Sequence, residues 1–230
     1  NAHPHHNIGK TIFAVHNGII ENYDQIKEIL SANGYKFISG TDSEIIPHYF
    51  DYQLKKGKTM LEAMKNFMSQ IKGTFAILII KKDDENIYAM KRDSPLALGI
   101  GKDKNIVASD IYAFNSFTGK SIFFEDDQMA IISKDSYSFY DKHSNKILKK
   151  ICEISLEIQD NTKKQYPHYM LKEIQEQPFV AQRLVDSFSS IQKKNFQQFV
   201  DLMKTKKHIE FLACGTSYHA SLIGDRKSVV

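Results

Sequence analysis

The run Phe-Ala-Ile-Leu-Ile-Ile at 75–80 is apolar at every position, so a strand there has no face to give to water. Such a strand sits inside layers rather than at a sheet edge. It also marks a change of period. Upstream, apolar residues recur at helical spacing. Downstream, short aromatic or β-branched runs at 87–92, 96–101, 105–109, 122–125, 129–133 and 137–141 alternate with polar turns such as Lys82-Asp83-Asp84-Glu85. Helices followed by many strands predict an α+β fold of stacked sheets with helices outside.

The helical half has its own punctuation. Residues 11–16 form a β-rich run that Asn17-Gly18, a dipeptide favouring positive φ, is expected to stop. Asn22 and Gln25 approximate a capping box for a helix that places Ile26, Ile29 and Leu30 on one face and closes at Gly34. A second helix opens around 41–44 with Ile45, Ile46, Tyr49 and Phe50 on one side. Pro47 requires it to start late or bend. A third follows the box Thr59/Glu62 and buries Leu61, Met64, Phe67, Met68 and Ile71 before Gly73. Residues 157–166 read as a polar linker, 168–200 return to helical spacing, and 208–213 read as a strand feeding a new βα unit. A helix begins at 217–223. Residues 224–230 continue no apolar stripe and are expected to lie outside it. With Asn at position 1, the chain reads as a piece of a longer one.

Composition excludes several classes. The 230 residues, 42% hydrophobic and 25% charged, suit one or two globular domains. The formal charge of +4 is spread among acids, so nucleic acid is not an expected partner. Nor is a membrane, since no apolar run reaches the length of a bilayer span, and no signal-peptide pattern opens the chain. Cys152 and Cys214 lie far apart without metal-ligand spacing, which fits a reducing compartment and the role of small buried hydrophobes. His3, His5 and His6 have no second cluster of acids or cysteines beside them, so no metal is expected.

Some positions carry chemistry. An acyl-transfer transition state needs N–H donors for its oxyanion, and the carboxamide of Asn17 beside the bare N–H of Gly18 can supply two. A plain turn is the competing reading. Asp42 offers a carboxylate to a substrate ammonium, or simply favours a helix start. His16 either orients the neighbouring turn or is a core histidine with its bonds satisfied. Gly215, Thr216 and Ser217, at a helix start, leave N–H and hydroxyl donors for a phosphate, with a cap as the alternative.

Taken in order, Asn1-Ala-His-Pro-His5, the segment HNGIIEN at 16–22, Gly40-Thr-Asp-Ser-Glu44 and Ser94-Pro95-Leu96 resemble the class II glutamine amidotransferases, which are N-terminal-nucleophile (Ntn) hydrolases. The segments HYMLKEIQEQP at 168–178 and LACGTSYHA at 212–220 resemble the linker and first sugar-isomerase (SIS) segment of the glutamine–fructose-6-phosphate aminotransferase family. This resemblance implies a four-layer αββα sandwich over 1–160, a linker at 161–178 and the start of a SIS domain at 179–230. It implies transfer of the amide nitrogen of L-glutamine to fructose 6-phosphate, giving glucosamine 6-phosphate and glutamate for amino-sugar biosynthesis. By position it makes Asn17 and Gly18 the oxyanion hole, and His3, Gly18 and Asp42 the glutamine-binding residues. Gly215, Thr216 and Ser217 become the sugar-phosphate residues. No metal or organic cofactor is implied, and a cytoplasmic homodimer is. The family's N-terminal cysteine and its Arg-Trp-x-Thr-His segment are absent here, so this stretch alone is expected to lack glutaminase turnover. Amidophosphoribosyltransferase and asparagine synthetase share such a glutaminase domain, and a noncatalytic glutamine or sugar-phosphate sensor is a further alternative.

Overall fold

The apolar run at 75–80 lies within β3 (Gly73–Lys81), a strand covered by a different layer on each face. The computed structural model describes residues 2–153 and 163–227. The chain divides into two compact units, Asn1–Glu157 and Ile158–Val230. The first unit contains a seven-stranded sheet: β1 (His5–His6), β2 (Ile12–Ile20), β3, β4 (Ile87–Arg92), β8 (Gln128–Ile132), β9 (Tyr137–Tyr140) and β10 (Lys146–Ile147), in that order. A four-stranded sheet runs β11 (Cys152–Glu153), β7 (Lys120–Phe123), β5 (Ala97–Ile100) and β6 (Asn105–Ala108). Neighbouring strands in both sheets are antiparallel.

Alternation along β3 separates two cores. Phe75, Ile77 and Ile79 pack under α1 (Tyr23–Ala32), α2 (Ile45–Lys55) and α3 (Met60–Gln70), together with Phe50, Met64 and Phe67. Ala76 and Leu78 point the other way, against Leu96, Leu98, Ile122 and Phe124 between the sheets. Ile80, at the rim, is half exposed. The described residues thus supply a helix layer and two sheets, three of the four layers expected. On the outer face of the smaller sheet, Phe114 lies flat against Gly99, where a Cβ would stand 2.5 Å from the ring.

Local chemistry explains the helix ends. The Thr59 hydroxyl accepts the Glu62 N–H and the Glu62 carboxylate accepts the Thr59 N–H, completing the expected box on α3. Pro47 costs nothing, because α2 starts at Ile45 after a 3-10 turn at Asp42–Glu44, and an N–H in a first turn has no intrahelical partner. The Arg92 guanidinium donates to the Ile71 and Met68 carbonyls at 2.7 and 2.8 Å and to Asp127 at 2.6 Å, fastening the C-terminal end of α3 to β4.

Several expectations are corrected. Asn17-Gly18 does not end the first strand: β2 continues to Ile20, with Asn17 opposite Ala76 and Gly18 opposite Phe75. Asn22 makes no side-chain cap. Its amide instead donates to the Gln70 carbonyl and accepts from the Lys72 N–H, tying α1 to the start of β3. Ile29 is half exposed, because the inward face of α1 is carried by Tyr23, Ile26 and Leu30. Both cysteines are exposed: Cys152 sits on a two-residue edge strand and Cys214 on the segment before α6 (Gly215–Lys227).

The second unit contains α4 (Tyr169–Ser189), α5 (Lys193–Lys204) and α6. Of the polar linker expected at 157–166, residues 157–162 lie outside the described residues, while the linker expected at 161–178 is helical from Tyr169 onward within α4. Residues 208–213 form no strand, since no other strand among the described residues offers their backbone a partner there. The last helix does not stop at Gly224 but runs to Lys227, and 228–230 lie outside the described residues.

Phe67 is fully buried, with ring centroids 5.3 Å from Tyr49, 5.6 Å from Phe50 and 5.9 Å from Phe75. Phe67→Ala is expected to lower the unfolding free energy of the first unit by about 3–5 kcal/mol, read from urea titration as a shifted midpoint with unchanged slope.

Candidate functional site

The site begins where β2 and β3 come unusually close. Gly18 has φ +142° and Gly73 φ +118°, on either side of the Ile19–Thr74 pair. A Cβ on Gly18 would lie 2.0 Å from the Thr74 carbonyl oxygen, and one on Gly73 2.1 Å from the Ile19 carbonyl oxygen. Only glycine fits either position.

The ladder sets the direction of the backbone groups. The Glu21 N–H donates to the Lys72 carbonyl and the Lys82 N–H to the Thr11 carbonyl, so odd-numbered residues of this stretch bond toward β3. In an antiparallel pair, the even-numbered N–H groups then face the other edge. β1 covers that edge only at Phe13 and Ala14. Farther along, the Ile20 N–H donates to Asp42 Oδ2 at 2.7 Å. Strand alternation directs the Gly18 N–H to the same side. Gly18, Ile19, Ile20, Glu21 and Tyr23 line a cleft of about 420 Å³ together with Gly40, Thr41 and Asp42.

Asp42 is held by its own turn. Thr41 caps the 3-10 turn through its side chain, and the Ser43 hydroxyl lies 3.3 Å from Asp42 Oδ1. Ser43 in turn contacts His16 Nδ1 at 2.9 Å. Glu44 fixes the preceding loop: its buried carboxylate accepts the Ile38 and Ser39 N–H groups at 2.8 and 2.7 Å, together with the Ser39 hydroxyl. Burial alone would raise the Glu44 pKa, but these hydrogen bonds, with His48 beside it, hold it below the ordinary carboxylate value. His48 Nε2 is 3.6 Å from Glu44 Oε1, and burial keeps the His48 imidazole neutral to lower pH than usual despite that carboxylate. Burial does the same for His16.

The sequence-derived positions separate into groups. Gly18 and Asp42 share the cleft. Asn17 is exposed beside it, on the opposite face of β2 from His16. His3 is exposed, its ring edge-on to His5 at 5.1 Å, and does not line the cleft. Gly215, with φ +61°, opens α6 with Thr216 and Ser217, all three exposed in the second unit. Cys152 does not line the cleft, and among the described residues no group of three or more histidines, cysteines or acids could hold a metal ion. Sequence reasoning missed the Ser43 contact to His16 and the loop-fixing role of Glu44. The polar run from Thr41 to Glu44 was their only trace, and it reads as a helix start.

Comparison with known proteins decides the family. A model described as a glutamine amidotransferase domain matches residues 1–116. The chain belongs to this family. Glutamine–fructose-6-phosphate aminotransferase (isomerizing) of Clostridium tetani is 37% identical over 229 residues, covering 97% of this chain and 37% of that protein. The enzyme of the same name from Thermococcus kodakarensis is 38% identical over 226 residues, with coverage of 97% and 37%. The chain therefore spans little more than a third of the length of these curated relatives. Among solved structures, the glutamine phosphoribosylpyrophosphate amidotransferase from B. subtilis matches with a TM-score of 0.53 and 25% identity, over 64% of this chain and 33% of that one. As an amidotransferase domain, the first unit carries the Ntn-type fold of its structural neighbours.

The buried histidines set a pH dependence for the fold. Because folding depresses the His16 and His48 pKa values below the ordinary 6.5, the unfolded chain binds protons first as pH falls. Their stability contribution is complete above about pH 6.5 and is lost on acidification toward the folded values. Glu44, depressed below 4.5, adds a further loss at lower pH. Urea unfolding at pH 7.5, 6.5, 5.5 and 4.5 is expected to show an unfolding free energy that changes little down to pH 6.5 and falls below it. His48→Gln should flatten the fall between pH 6.5 and 5.5.

Proposed function

We propose that this chain is part of an enzyme that transfers the amide nitrogen of L-glutamine to fructose 6-phosphate, giving glucosamine 6-phosphate and glutamate. The observation that carries the glutaminase half is the cleft itself, where the outward edge at Gly18 and the carboxylate of Asp42 face one space. In this reading Asp42 binds the α-ammonium of glutamine. The N–H of Gly18 and the carboxamide of Asn17, its neighbour on the strand, receive the oxyanion as the amide carbon is attacked. His3, which does not itself line the cleft, is the residue this reading assigns to the carboxylate end of the substrate. The attacking thiolate belongs, as in the N-terminal-nucleophile hydrolases, to a cysteine other than Cys152, which does not line the cleft.

Identity to fructose-6-phosphate aminotransferases over about 97% of the chain, the second unit included, favours this acceptor over phosphoribosyl pyrophosphate. The second unit is then the opening of a sugar-isomerase domain, following an amidotransferase domain that ends near residue 160 and a linker to 178. The donors at Gly215, Thr216 and Ser217 face the sugar phosphate. Among the described residues no helix is long and apolar enough to cross a membrane. A cytoplasmic homodimer completes the proposal. A noncatalytic glutamine sensor would bind glutamine in the same cleft without releasing glutamate.

The test is a glutaminase and glucosamine-6-phosphate assay of the full-length protein containing this chain. Asn17→Ala is expected to lower kcat about 10²–10³-fold. Asp42→Asn should raise KM for glutamine by at least roughly 30-fold, the lower end of what losing a charged partner costs. The 230-residue stretch alone should release no glutamate from glutamine. Glutamate release by that stretch at the full-length rate, or normal turnover in the Asn17 variant, would overturn the assignment.

A further inference from the structure

A chain of contacts runs from the interior of the first unit to the cleft, and the reaction as outlined does not use its inner end. His16 is 8% exposed, Ser43 5%, and Asp42 half buried. His16 Nδ1 stands 2.9 Å from the Ser43 hydroxyl, which lies 3.3 Å from Asp42 Oδ1. Asp42 Oδ2 accepts the Ile20 N–H at 2.7 Å. His16 Nε2 is buried and has no hydrogen-bond partner among the described residues.

The proton count orders these contacts. A serine hydroxyl has one proton, so if it is directed at Asp42 the bond from His16 must be donated by Nδ1–H. Both carboxylate oxygens of Asp42 are then fixed, one by the backbone of β2 and the other by a hydroxyl that the imidazole orients. We propose that His16 and Ser43 are positioning residues for glutamine: neutral His16 aims the Ser43 hydroxyl at Asp42 and leaves that carboxylate its full charge for the substrate ammonium. The inference rests on the reading of Asp42 given under Proposed function.

Charging the ring would reverse the arrangement. An imidazolium at His16 would be an internal counter-ion beneath Asp42, competing with the ammonium it has to bind. The surroundings act against this. Burial opposes the charged ring, and His3 and His5 add to that, while Asp42 and the Thr74 carbonyl favour it. The balance lowers the pKa below 6.5. Glutamine binding should accordingly weaken on the acid side through KM rather than kcat.

Steady-state glutaminase kinetics of the full-length protein from pH 5 to 8 test this. At neutral pH, His16→Leu is expected to raise KM for glutamine about 10-fold with kcat changed less than about 2-fold, and Ser43→Ala to raise KM about 3–10-fold. His16→Asn places an amide donor close to where Nδ1 stood, so it should restore most of the affinity. Having no titratable ring, it should also lose the rise in KM below pH 6.5. A folded His16→Leu protein with unchanged KM, or an His16→Asn protein that keeps the acid-side rise, would overturn the proposal. Asp42→Asn is the separating control. If it raises KM while the His16 and Ser43 variants do not, the positioning role fails and the ammonium site stands. If Asp42→Asn has no effect, the reading of the site itself fails.

Discussion

The nine-residue ladder between β2 and β3 is the constraint on which the rest depends. It holds the strand that separates the two cores, so both packing layers are referenced to it. It also carries the glycine pair at its far end, where each strand's carbonyl occupies the place of the other's side chain. Because β1 covers so little of β2, the same ladder leaves a short unpaired edge beside the cleft. An unpaired strand edge is ordinarily a hazard for aggregation. Here one of its donors is already taken by Asp42.

Two acids only two residues apart serve different ends. Glu44 is inside, surrounded by donors from the loop it closes, and is electrostatically spent on that loop. Asp42 keeps an open side. Glu44 ties down the loop that precedes the turn carrying Asp42. A positioned carboxylate on a mobile loop would lose most of its advantage in ordering a ligand.

What could be read from the chain was mostly what its own neighbours decide. The box at Thr59 and Glu62, the runs of β4 and β9, and the doubly buried β3 depend on residues within a few positions and fell close to their observed bounds. The misreadings share a different cause. Gly18 does have a positive φ, as an Asn-Gly pair suggests, yet the reason lies in Thr74, more than fifty residues on. Asn22 could have capped its helix and instead bonds to Gln70 and Lys72. The stretch at 208–213 has the composition of a strand without a partner to make it one. In the site, Gly18 and Asp42 were legible as residue types, but the link through Ser43 to His16 required the fold.

The helices of the second unit have a practical consequence. Phe179, Leu184, Val185 and Ile191 all stand more than half exposed there, and Leu212 almost fully so. Exposed apolar side chains grouped in this way favour self-association of the isolated 230-residue stretch. A thermal melt and a turbidity curve would report on different halves of the molecule.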